Sequence, residues 1–84
     1  MRLKVQTIGD GQHPSEAIVS FETAEGETQE MIVDKRSIRE SSLGVGYPVG
    51  SRGKNLLIEL PAETFNGASR VWVARDSVVE DHAA

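Results

Sequence analysis

The sequence predicts an all-β fold, a small barrel or sandwich of five or six mainly antiparallel strands with little or no helix. Three observations carry this expectation. Apolar and polar residues alternate over short runs, as they do along strands with one buried face. Glycine, proline, asparagine or serine bounds these runs. Helical i, i+3, i+4 spacing is nowhere sustained over three turns.

Taken in order, the first run is Arg2 to Ile8, closed by Gly9-Asp10-Gly11-Gln12-His13-Pro14, a stretch that breaks any regular element. The second and third runs, Glu16 to Thr23 and Thr28 to Val33, flank Thr23-Ala24-Glu25-Gly26-Glu27. That arrangement predicts a hairpin, with Gly26 at the positive φ a tight connection requires. A single helical turn is expected at Lys35 to Arg39, and another at Pro61 to Phe65, where proline suits a first helical position. The fourth and fifth runs, Asn55 to Leu60 and Ser69 to Ala74, flank Phe65-Asn66-Gly67-Ala68 and predict a second hairpin with Gly67 in the same role. Between the hairpins, residues 43–54 hold four glycines and a proline and are expected to form a glycine-rich loop. Residues 80–84 are expected to be a disordered tail.

An internal echo runs through the chain. Met31-Ile32-Val33-Asp34-Lys35-Arg36-Ser37-Ile38-Arg39-Glu40 and Val71-Trp72-Val73-Ala74-Arg75-Asp76-Ser77-Val78-Val79-Glu80 share apolar-apolar-Val-x-basic-x-Ser-apolar-x-Glu. Each copy follows a hairpin candidate. The physical reading is two pseudo-repeated units, in which a strand ends, turns through the basic-x-Ser segment and drops Ile38 or Val78 back over the core; chance convergence of turn chemistry is the alternative. Strand, short turn and apolar residue in the last copy resemble the close of an SH3-like barrel, which makes that barrel one form the fold could take.

An 84-residue chain is one domain of residues 1–84 with one core. It has no cysteine, which excludes disulfides, thiolate metal sites and a cysteine nucleophile. The longest apolar run, Val71-Trp72-Val73-Ala74, is far below a bilayer span, so no membrane partner is expected and a cytoplasmic location is. His13 and His82 stand apart from each other, and zinc wants three or four convergent ligands, so neither a metal nor a cofactor is expected. No G-x-S-x-G elbow surrounds Ser37, Ser41 or Ser42, and no histidine lies near them in sequence. The glycine-rich stretch fails as a phosphate loop, because Pro48 and Asn55 stand where a Walker loop needs glycine and serine or threonine.

Charge is segregated within a net −4. Arg2 and Lys4 make residues 1–8 basic, whereas residues 9–34 carry seven carboxylates and no cation. Residues 35–54 reverse again, with Lys35, Arg36, Arg39, Arg52 and Lys54 against Glu40. By the period-2 rule Ile18, Ile32, Leu57 and Trp72 point away from the face filled by Val19, Met31, Ile58 and Val73. These features point to a non-enzymatic protein-binding or assembly module, self-associating as a homodimer, with Trp72, Arg70, Ile32, Leu57 and Tyr47 as the candidate interface. The runner-up is a small β domain that binds nucleic acid or phosphate through Lys35, Arg36, Arg39, Arg52 and Lys54, though an acidic chain with four aromatics is poorly equipped for it. A third reading is a small enzyme whose site forms only across a subunit interface.

Overall fold

In a computed structural model that describes residues 1–79, the first alternating run makes two strands, β1 (Arg2–Lys4) and β2 (Gln6–Asp10). Glu16 to Thr23 becomes β3 (Glu16–Glu22) and Thr28 to Val33 becomes β4 (Thr28–Asp34), with burial strictly alternating along β3. A 3₁₀ turn, Lys35–Ser37, follows, begun by the Asp34 carboxylate accepting from the Arg36 backbone N–H at 2.8 Å. Then come β5 (Ile38–Arg39), β6 (Ser42–Gly44), β7 (Gly50–Arg52), β8 (Asn55–Glu59) and β9 (Arg70–Ala74). A second 3₁₀ turn, Arg75–Ser77, leads into β10 (Val78–Val79). The expected tail 80–84 lies outside the described residues.

The all-β expectation holds, with the strands arranged as three antiparallel sheets. Their orders are β2-β3-β4, β7-β8-β9 and β10-β1-β6-β5, and among the described residues they do not join into a closed barrel. All five expected runs are strands. The short strands β5, β6, β7 and β10 are additional to them. The turn expected at Lys35 to Arg39 is the first 3₁₀ turn, whereas Pro61 to Phe65 forms no helix. There the chain bends and enters the turn at Thr64, whose N–H donates to the Ala68 carbonyl at 2.9 Å.

Over residues 31–39 and 71–79 the echo is part of a structural repeat that covers the described chain. β1 to β5 form one unit and β6 to β10 the other, each with three-stranded meander, 3₁₀ turn and two-residue strand in the same order. Their registers correspond residue by residue: Leu3 pairs with Val78, and Leu43 with Ile38; Arg2 pairs with Val79, and Ser42 with Arg39. The units meet where Leu3 pairs with Leu43, Arg2 with Gly44 and Lys4 with Ser42. Two hydrogen bonds flank this pair, Val5 N–H to the Ser41 carbonyl and Val45 N–H to the Met1 carbonyl, both 3.0 Å. Exchanging each residue with its equivalent in the other unit leaves the pattern unchanged, so the units are related by a pseudo-two-fold through Leu3 and Leu43. Each unit's last strand pairs with the first strand of the other, β5 on β6 and β10 on β1. Neither unit is complete alone.

One core serves both units. Leu3, Val19, Met31, Leu43, Ile58 and Val73 are its most enclosed side chains, with Phe21, Val33, Leu56 and Val71 around them. The hairpin tips lock the units together, because Ala24 N–H donates to the Trp72 carbonyl and Phe65 N–H to the Glu30 carbonyl, at 2.8 and 2.9 Å.

Both hairpins turn through the same Thr-x-x-Gly-x device. Thr23 and Thr64 each accept from the glycine N–H on their carbonyl, and from the following N–H on Oγ1. Gly26 and Gly67 lie at φ +86° and +85° as expected, and Gly53 joins them at +58°. Thr64 is buried, so its hydroxyl is the acceptor that spares Ala68 N–H an unsatisfied position. Thr64→Val keeps the shape and removes that acceptor; it is expected to destabilise the fold by about 1.5 kcal/mol in urea unfolding. A cost below the scatter of the measurement would mean that water replaces the hydroxyl.

Candidate functional site

The residues that share one open concavity come from both units. Arg2 and Lys4 on β1 alternate with buried Leu3, so the two cations stand on the outer face of the β10-β1-β6-β5 sheet. Arg39 on β5, paired with Ser42, stands on the same face. With Val5, Glu40, Ser41, Ser42 and Val79 they line an open groove of about 530 Å³.

Arg2 is held in place by the sheet itself. Its Nε donates to Ser42 Oγ at 2.8 Å, and its Nη2 donates to the carbonyls of Ser37 and Ser42 at 2.8 and 3.0 Å. Ser42, itself buried, donates its hydroxyl to the Arg39 carbonyl at 2.6 Å. Gly44 makes room for the guanidinium, because a Cβ there would lie 3.3 Å from Arg2 Nη1. Lys4 and Arg39 are exposed, and among the described residues neither has a carboxylate partner.

Part of the groove's lining is a two-residue turn, Glu40-Ser41, between β5 and β6. Both residues are left-handed, at φ 52° and 61°, where a type I′ hairpin ordinarily uses asparagine and glycine. They are the only non-glycine residues at positive φ among those described. Such backbone persists when its surroundings over-determine it, and it gathers at functional places.

The basic segment expected to act together is divided. Of its members only Arg39 reaches the groove. Lys35 pairs with Asp10 at 3.5 Å, and Arg36 with Asp34 at 2.9 Å. The Arg36 side chain holds the Asp34 carboxyl below its ordinary range by hydrogen bonding, and Asp34 raises the guanidinium in return. Arg52 lies over the Trp72 ring, 5.2 Å from its centroid. Lys54 sits at the β7–β8 turn, where its carbonyl accepts from Arg75 N–H at 2.8 Å.

The candidate interface is divided too. Leu57 and Trp72 are paired neighbours on the outer face of β7-β8-β9, with Gly50 completing the row. Arg70 lies on the same face, two residues from Trp72, and engages Glu59 at 3.2 Å. Trp72 and Leu57 are half-buried. Ile32 belongs to the equivalent row of the other unit, Gly9-Ile18-Ile32. Tyr47 is 84% exposed in the β6–β7 link, beside Met1, Pro48, Leu56, Arg75 and Val78. The glycine-rich stretch 43–54 contains most of β6 and all of β7, because pairing with β1 and β8 satisfies its backbone; residues 45–49 link the two strands.

No family model, curated protein or solved structure matches the chain.

Arg2 and Lys4 are the groove residues that the basic run 35–54 does not contain. Their signal is the echo carried further back: Leu3-Lys4-Val5 stands to Leu43-Gly44-Val45 as residue 31 stands to residue 71. That correspondence marks β1 and β6 as equivalent strands, and it is their pairing in the fold that sets the first cations beside Arg39.

Proposed function

We propose that the chain is a non-enzymatic binding module whose groove on β1, β5 and β6 takes an acidic segment of a protein partner. The observation that carries this reading is the convergence of Arg2, Lys4 and Arg39 on one concave face, the first locked and the other two without a carboxylate partner among the described residues. A guanidinium held in a fixed orientation offers directional charge-assisted bonds, and the two flexible cations add attraction at low cost in specificity. Protein is favoured over nucleic acid because no aromatic side chain lines the groove to stack a base, and a net −4 repels a polyanion as long as a duplex. Self-association through the Trp72 face is the second reading. The adjacent Leu57 favours it, while Arg52 over the half-buried ring limits the apolar area left to bury.

Fluorescence anisotropy with a labelled ten-glutamate peptide and, in parallel, a labelled single-stranded oligonucleotide tests the choice. The peptide is expected to bind, more weakly as salt rises, and Lys4→Ala with Arg39→Ala to lower its affinity about tenfold. Tighter binding of the oligonucleotide would favour the runner-up. Peptide binding indifferent to the double substitution would remove the groove from the account.

A further inference from the structure

We infer that this chain exchanges halves with a second copy of itself, hinged at Glu40-Ser41, to form a domain-swapped dimer. Three observations lead there. First, the chain already has the internal plan of a dimer, since two equivalent units complete each other through β5 on β6 and β10 on β1. Second, the only covalent link between the units is the turn between β5 and β6, and it is two residues long. Third, both residues of that turn are non-glycine and left-handed, at φ 52° and 61°.

A swapped dimer keeps every contact between the units, because unit one of each chain meets unit two of the other with the same registers. What changes is the hinge. Opened, residues 38–44 become one extended strand, and the register that pairs Ile38 with Leu43 and Arg39 with Ser42 continues to set Glu40 of one chain opposite Ser41 of the other. The exchange therefore relieves two strained residues per chain. Against this stands the entropy of association, so the monomer prevails when dilute and the dimer gains with concentration.

Two variants of the full chain move the hinge in opposite directions. Ser41→Pro fixes φ near −65° at residue 41 and drives residue 40 toward extended backbone, so the tight turn cannot form. Glu40→Asn with Ser41→Gly supplies the residues a type I′ turn prefers. Light scattering after size exclusion is expected to show Ser41→Pro as a dimer. The unsubstituted chain, refolded from denaturant at millimolar concentration, should yield a dimer fraction, and the Asn-Gly variant should lower its dimer-to-monomer ratio about tenfold. A swapped dimer must unfold to separate, so the isolated species should survive dilution to nanomolar concentration for hours and revert on warming. A folded, monomeric Ser41→Pro would overturn the inference, as would a dimer that dissociates at once on dilution. If Ser41→Pro does not fold, the refolded parent and the Asn-Gly variant decide: equal dimer fractions, or none in either, overturn it as well.

Discussion

Leu3→Ala and Leu43→Ala are each expected to destabilise the fold by about 3 kcal/mol. For a domain of this size that lowers the melting temperature by about 12–24 °C. Both side chains are wholly buried, and they pair directly where the two units meet. Removing either leaves a cavity bordered by both units, which two short strands held by long-range pairing cannot easily collapse. The pseudo-two-fold adds a sharper expectation, that the two costs agree within about 1 kcal/mol, since equivalent side chains lose equivalent surroundings. The double variant should cost less than the sum of the single ones, because the second truncation enlarges an existing void. Urea denaturation of the three variants measures all of this. A Leu43→Ala cost under about 1 kcal/mol beside a full cost for Leu3→Ala would show the second unit to be peripheral rather than equivalent.

The same junction explains what was legible in the sequence. β3 and β4 could be read because seven residues give a period of two enough repeats to be distinctive, and a Thr-x-x-Gly turn separates them. β5 and β10 have two residues each, too few for any period, and exist through their pairing with β6 and β1. The run Arg2 to Ile8 looked like one strand because apolar Leu3 and Val5 keep the alternation. In the fold the chain leaves one sheet for another at Val5, whose N–H is taken by Ser41. Periodicity records which face a residue occupies and is silent about which strand it pairs with. The groove was hidden for that reason: a cationic run is visible along the chain, but Arg2 and Lys4 join Arg39 only through the register of β1 on β6. Trp72 lies on the outward face, as its alternation with Val71 and Val73 predicts, yet its shielding depends on Gly50 and Arg52 of β7, a strand that three residues do not announce.

Gly26→Val and Gly67→Val are each expected to cost about 2 kcal/mol, and the cause can be isolated because space is not the obstacle. A Cβ at Gly67 would meet nothing within 4 Å, and one at Gly26 only the Glu22 carboxylate at 4.0 Å. What remains is the backbone. At φ near +85° a β-branched side chain crowds its own peptide groups, and the turn cannot relax, because Thr23 and Thr64 hold it by three hydrogen bonds each. The hairpin tips also carry the bonds from Ala24 and Phe65 into the opposite unit, so a distorted tip loosens the junction between units as well as its own strands. Asparagine tolerates left-handed backbone, and Gly67→Asn should therefore cost about half as much as valine. Gly46→Val supplies the control, since that glycine has open space around it and no positive φ, and its stability should lie within about 0.5 kcal/mol of the parent. Chemical denaturation of the four variants gives the ranking. If Gly67→Val fell beside Gly46→Val instead of beside Gly26→Val, the second tip would not be the conformational equivalent of the first, and the repeat would stop short of its turns.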